Sequence, residues 1–398
     1  MTATHSSSRP PRQQHRLRND EVILDAAVPL AAQQGWAGLT PGHVASAAGL
    51  SRPTVLQRHA SRADLAASLW LDRLWRPLSA ALVPLIGAVD AADSEAILSA
   101  LDVFVTPTVK LRAAVELLLV SSYVSVLSAV VGSTFGPWFA PLTTDAPEAL
   151  GARRALAVGS AFGFVMGSTG PGPGATCAGP ERESWATGLA AAGQPVAAWP
   201  DRFEVSPAAG PDTGDRTRDR VLGATVDSVA ERGYEAATIE VIAARCGFTR
   251  AVIFQRYPTK YDLFLDASER TYGPVISALD AQRRQLEPVQ GLGASEAWFT
   301  RELMSPDLKG LRTVLLEEIR LAGHEPGLST VAHRANRPGQ LTAVMCAEHD
   351  TRRNPGRLSM VITSGMLLVA QLNPKTWALP LGVALTPWRR AQSGCGLS

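Results

Sequence analysis

Residues 238–264 read TIEVIAARCGFTRAVIFQRYPTKYDLF, and the spacing within them decides the fold. Thr238 stands where a helix N-cap belongs, because its hydroxyl can accept a hydrogen bond from a free amide of the turn that follows. The run Ile239–Arg245 keeps helical spacing until Gly247 breaks it and permits a tight turn. Thr249 is placed to cap a second helix, Arg250–Tyr257, which Pro258 closes. Two short helices crossed through a glycine turn predict a helix-turn-helix. Ahead of them Val221, Leu222, Thr225, Val226 and Val229 recur at helical spacing, and Gly233 follows as a stop.

The pattern occurs twice. Shifted by 198 residues, Arg18–Leu65 falls on Arg216–Leu263 without a gap, and 14 of the 48 positions are identical. Alanine-rich stretches match cheaply, so the identities that count are Gly35, Thr40, Gly49, Arg52, Gln57 and Arg58. Residues 40–65, TPGHVASAAGLSRPTVLQRHASRADL, repeat the threonine cap and the glycine turn, with Ser51 as the second cap. The chain is a tandem duplication. It predicts an all-α fold of two tandem units, each a three-helix head followed by a helical effector or dimerisation-type domain.

Composition shifts give the expected boundaries. Residues 1–15 read as a disordered basic tail, 16–66 as the first head and 67–200 as the first effector-type domain. The Pro-, Gly- and Asp-rich residues 201–214 read as a linker, 215–265 as the second head and 266–398 as the second effector-type domain. Within those domains Leu111–Val131, Leu156–Met166, Leu311–Leu321 and Leu358–Leu372 read as apolar helices, for core, pocket wall or an interface between the units.

The stretch 238–264 resembles the signature of TetR-type regulators: a Thr-capped helix, a glycine turn, a short recognition helix ending in aromatics, then Pro, a hydroxyl residue and Lys. Residues 40–65 resemble it with departures. Leu56 and His59 stand where aromatics are usual, and Pro29 lies inside the first helix, where proline weakens it. The resemblance implies binding to double-stranded operator DNA, control by a small-molecule effector, and two heads per operator.

Candidate DNA-binding residues follow. Arg52, Thr54, Gln57 and Arg58, with Arg250, Gln255 and Arg256, form the polar faces of the recognition helices; Arg pairs with guanine and Gln with adenine. On an arbitrary helix the same residues would be only a solvated face. Thr40, Ser51, Thr238 and Thr249 are N-caps, and a helix N-terminus attracts phosphate. Arg62 and Lys260 match the family's basic residue after the recognition helix, a phosphate clamp or a plain surface charge. Arg16, Arg18, Arg216 and Arg218 precede each first helix and could touch the DNA backbone or face solvent.

Bulk properties restrict the alternatives. The net charge of +2 announces no polyanion partner by itself, although residues 216–260 hold eight Arg or Lys against five acids. The four cysteines are scattered, with no metal-ligand spacing, and no cofactor is expected. There is no phosphate-binding loop, dinucleotide fingerprint or nucleophile motif, so no enzyme is expected. The greasiest run, Leu117 to Val131, is shorter than the about 20 residues a membrane span needs, so a cytoplasmic protein is expected. The function expected is ligand-responsive repression by a monomeric pseudo-dimer, in preference to a homodimer. The rival is a ligand-sensing or protein-interaction protein whose heads have lost DNA binding.

Overall fold

Glycines with positive φ, hydroxyl caps and prolines cut the chain into helices of very unequal length. The computed structural model describes residues 11–168, 179–191, 210–324 and 356–394, and no strand occurs among them. The first head consists of α1 (Pro11–Gly38), α2 (Pro41–Ala48) and α3 (Arg52–Arg58). Its body runs through α4 (Arg62–Leu69), a π turn (Trp70–Leu74), α5 (Trp75–Asp90), α6 (Ser94–Val105), α7 (Val109–Val120), α8 (Ser125–Thr144), α9 (Glu148–Gly167) and α10 (Gly179–Ala190). The second head is α11 (Arg216–Ala236), α12 (Ile239–Cys246) and α13 (Arg250–Phe254). Its body is α14 (Lys260–Gln290), α15 (Leu292–Met304), α16 (Lys309–His324), α17 (Gly356–Leu372) and α18 (Gly382–Gly394).

Several boundaries differ from the sequence expectation. Helix α1 starts at Pro11, inside the stretch read as a tail, because proline is tolerated in a first turn and Gln and Arg are good helix formers. Residues 1–10, and 201–209 of the expected linker, lie outside the described residues. The expected head–body boundaries at 66/67 and 265/266 fall within helical runs, since nothing there breaks a helix. Leu111–Val131 is not one helix. It breaks between α7 and α8, which meet at 117°, where the Ser121 hydroxyl bonds the Leu118 carbonyl at 2.7 Å and competes with the backbone ladder. Pro29 sits inside α1 without ending it, and no single described helix is long and apolar enough to cross a membrane.

The two bodies share one apolar core. It runs from Ile23 in α1, through Trp70, Phe104, Phe135 and Phe162, to Trp298, Leu368 and Trp388 in the second unit. The second head keeps a smaller core of its own around Val221, Ile242, Ile253 and Phe264, joined to α16 at Val314 and Leu321.

Where the units meet, α9 and α17 cross with their backbones in contact. A Cβ added to Gly163 would lie 1.9 Å from the Val361 carbonyl oxygen, and one on Gly365 would lie 1.6 Å from that of Gly159. Beside this crossing α10 packs on α18, with Trp185 and Trp388 edge to face at 5.2 Å between ring centroids. Glycine is required here for proximity, not for a turn. Gly163→Val or Gly365→Val should therefore destabilise the chain in urea unfolding by at least the about 1–3 kcal/mol typical of overpacking. Gly87→Ala, on α5 where an added Cβ meets nothing within 4 Å, should instead stabilise by about 0.5–1 kcal/mol. Equal tolerance at the three sites would contradict the close crossing.

Candidate nucleic-acid interface

Each head is built from the same local devices. Helix geometry fails at Gly35 (φ 62°) and at Gly233 (φ 76°), a region that residues with a Cβ avoid. Space demands glycine there too: an added Cβ would sit 2.6 Å from Glu116 Oε1 at Gly35 and 2.3 Å from Tyr123 Cε2 at Gly233. Thr40 then caps α2 by accepting the His43 amide at 3.2 Å, and Thr238 caps α12 by accepting the Val241 amide at 3.4 Å. Gly49 and Gly247 turn the chain through left-handed conformations at φ 65° and 71°. Ser51 caps α3 through the Thr54 amide at 3.2 Å, and its hydroxyl also meets that of Thr54. Thr249 holds the equivalent position with extended backbone, but its side chain makes no capping bond. The second recognition helix is correspondingly short: it ends at Phe254, and Gln255 and Arg256 lie on the turn that follows.

Val55 and Ile253 are fully buried and pin the recognition helices from beneath. The opposite face is open, exposing Arg52 and Gln57 on one head and Arg250, Gln255 and Arg256 on the other. Leu56 and Phe254, at matching positions, are exposed as well, at 36% and 45%. Sequence reasoning had not placed these apolar residues on the reading face, although Phe can contact a thymine methyl.

Several of the expected arginines already have carboxylate partners. Arg58 forks onto Asp20 of α1, with Nε at 2.5 Å. Arg256 pairs with Asp215, the N-cap of α11, at 2.6 Å, and Arg250 with Glu240 at 2.8 Å. Arg218 is held by Asp266 at 2.7 Å and by the Tyr257 hydroxyl, whereas Arg18 and Arg216 are exposed. The side chain of Arg16 lies outside the described residues. Arg62 and Lys260 turn inward. Arg62 donates to the Trp36 carbonyl at 3.3 Å and stacks on its ring; Lys260 donates to the Tyr234 carbonyl at 2.6 Å and lies over that ring. Burial pushes the pKa of both below the usual range. Both seal the broken C-terminus of a first helix. None of the carboxylate partners was legible, because the pairs are set by tertiary proximity and span ten to 48 residues.

Behind the heads lies a buried ionic cluster shared by both units. The Trp36 amide donates to Glu116 on α7 at 2.6 Å, and the matching Tyr234 amide donates to Glu317 on α16 at 3.0 Å. Each glutamate is also held from the other unit: His324 Nε2 meets Glu116 at 2.9 Å, and the Tyr123 hydroxyl donates to Glu317 at 2.6 Å. Arg320 sits between them, 2% exposed, reaching Glu116 at 3.1 Å, Glu317 at 3.0 Å and Glu235 at 2.7 Å. Burial alone would raise the Glu116 pKa, but Arg320 and His324 outweigh it and hold the carboxyl below its usual range. A narrow cleft of about 300 Å³, counting its open mouth, borders this cluster beside Arg112, Leu119, Met166 and Ile319.

With this geometry in place, comparison with known proteins is decisive. The model of the bacterial regulatory proteins of the tetR family matches twice, at residues 23–69 and 221–267. The chain carries two tetR-family heads. It is also similar to the HTH-type transcriptional activator FasR of Mycolicibacterium smegmatis, with 31% identity over 120 residues, or 28% of this chain. The matched segment spans 54% of that relative, so the chain covers about half the length of the curated protein it resembles. Both heads carry a threonine-capped second helix and an exposed polar face, only the first has a side-chain cap on its third helix, and both hang from the shared cluster.

That suspension has a pH signature. Burial lowers the His324 pKa, but the hydrogen bond and charge of Glu116 prevail and raise it above 6.5. Its contribution is therefore complete below the unfolded value and is lost as pH rises through the folded one. The melting temperature of the wild type minus that of His324→Gln should be largest near pH 6 and shrink toward pH 8.5. Glu318, pushed up to about 7 by burial, titrates in the same window but cancels in the difference. A difference independent of pH would exclude the charged His324–Glu116 contact.

Proposed function

We propose that the chain is a sequence-specific transcriptional regulator whose two heads read the two halves of one double-stranded operator. The observation that carries this reading is a pair of exposed polar recognition faces mounted on a single continuous core. Ordinary helix-turn-helix dimers present two heads about one helical turn, or roughly 34–36 Å, apart. Here one chain supplies both heads, so the reading includes a monomeric pseudo-dimer, with association intramolecular and independent of concentration. The roles assigned are base reading for Arg52, Gln57, Gln255 and Arg250, and phosphate attraction at the α2 and α12 N-termini capped by Thr40 and Thr238. Thr54, Ser51 and Thr249 border that surface. Arg58 and Arg256 reach DNA only by leaving Asp20 and Asp215; Arg62 and Lys260 set the angle of each head.

A small-molecule effector fits the same scheme. The cleft beside Arg320 and His324 touches both units, and a ligand there would shift the heads only through unequal affinity for two arrangements. Because the bodies have diverged more than the heads, at most one tight ligand site is expected, in a cytoplasmic, non-enzymatic protein. Repression relieved by that effector is the reading carried from the family. The similar protein is named an activator, so a reporter gene with and without the regulator gives the sign.

One observation favours the rival reading, a sensor or interaction protein without DNA binding: Asp20, Asp215 and Glu240 neutralise arginines at or beside the reading faces. A gel shift on the gene's own upstream region, repeated across salt concentrations, separates the two. Gln255→Ala and Arg52→Ala should each lower discrimination at one base pair by roughly 1–3 kcal/mol. If both leave operator binding intact, the recognition faces are misassigned. Light scattering should give a mass near 42.1 kDa, and a stable species of twice that mass would rule out the monomer.

A further inference from the structure

The two reading faces differ at one corner, and the difference is electrostatic. On the second head Glu240, in the first turn of α12, lies 2.8 Å from Arg250, the first residue of α13. The two side chains are 57% and 60% exposed, so the pair stands at the surface. Its carboxylate is further fixed by its own backbone amide and by the Thr238 hydroxyl, and the Arg250 guanidinium lies 5.9 Å from the Phe254 ring centre. On the first head the repeat places Gly42 opposite Glu240 and Arg52 opposite Arg250. Nothing lies within 4 Å of where a Gly42 side chain would begin, and Arg52 has no ion pair among the described residues.

We infer that the two heads read unlike half-sites, and that Glu240 sets the difference by bracing Arg250 where the first head leaves Arg52 unbraced. This rests on the DNA-binding reading above. A flexible arginine must lose rotamer freedom when it engages a base, and it can swing to a phosphate instead. Glu240 engages Nη1 of Arg250 in advance and leaves Nε and Nη2, two parallel donors that match O6 and N7 of guanine. The carboxylate also repels neighbouring phosphates, so the braced head gains little from DNA of the wrong sequence. The second head should demand guanine at its arginine position, and the first should tolerate other bases while holding the backbone more strongly. Glu240 is thus a positioning residue that acts through Arg250.

The test is selection from a random-sequence duplex library by the full chain, with the Glu240→Gly and Gly42→Glu variants in parallel. The wild type should enrich a site of two unlike halves, one with a strict guanine. Glu240→Gly should relax that guanine about tenfold and strengthen binding to unselected duplex, with a steeper salt dependence. Gly42→Glu should tighten the matching position of the other half about tenfold. Glu240→Gln, which keeps a hydrogen-bonding side chain without the charge, should fall between wild type and Glu240→Gly, and it carries the test if the glycine variant is poorly folded by circular dichroism. Identical halves, or preferences that none of the variants alters, overturn this inference and leave DNA binding standing. Failure of the wild type to enrich any duplex at low salt sinks the DNA-binding reading, and this inference with it.

Discussion

Arg320 is the constraint on which the arrangement of the heads depends. It is almost wholly buried and faces carboxylates from both units: Glu116 of the first, and Glu235 and Glu317 of the second. Burial disfavours a cation, yet these neighbours raise its pKa well above the usual arginine value. A buried ion cluster is weak evidence for net stability, since desolvation offsets much of the attraction, but removing one member costs about 3–5 kcal/mol. What the cluster supplies is specificity of placement. Glu116 and Glu317 each also accept the amide that follows a helix-breaking glycine, so the end of each first helix is fixed to the body beneath it.

The arrangement crosses over. Tyr123 of the first unit closes over Gly233 of the second head, while His324 of the second unit closes over Gly35 of the first. Neither head can change its angle without disturbing a residue of the opposite unit. A cleft at this crossing is therefore a place where a ligand would bear on both heads at once, whereas a cavity deeper in one body would bear first on its own. The heads are not equally tied. The first merges its core with the bodies, and the second meets them through a separate cluster at Val314 and Leu321.

How much of this was legible in the sequence follows from the range of the forces. Caps, glycine turns and periodic apolar faces act over a few residues, so the three-helix heads, Thr40, Ser51 and Thr238, and the glycine breaks at 35, 49, 233 and 247 could be read directly. The failures have the opposite character. Arg62 and Lys260 look like free cations in a string of letters, yet they fold back on carbonyls 26 residues away. Asp20 and Asp215 gave no sign that they would hold arginines at the end of, or just after, the recognition helices, because those pairs depend on how the helices pack. Gly163 and Gly365 look like weak helix residues until the backbones of α9 and α17 are seen in contact. The Arg320 cluster joins residues up to 208 apart, counting its His324–Glu116 contact, and leaves no local trace.

The duplication also explains why the units are unlike. In α7 and α16 the matching register is 201 residues, which pairs Glu116 with Glu317 and Tyr123 with His324, and pairs Arg320 with Leu119. One arginine thus serves two equivalent glutamates. A symmetric pair of first units would bring two Glu116 carboxylates together with Leu119 in place of the cation. A symmetric pair of second units would bring two Arg320 guanidinium groups into a space that one fills. Two buried carboxylates without a cation, or two guanidinium groups crowded with their own glutamates into one space, are both unfavourable, so the Leu119–Arg320 combination favours the mixed pairing. A single chain carrying both units meets that requirement every time it folds. The same asymmetry frees the heads to diverge, since neither recognition face has to match a copy of itself.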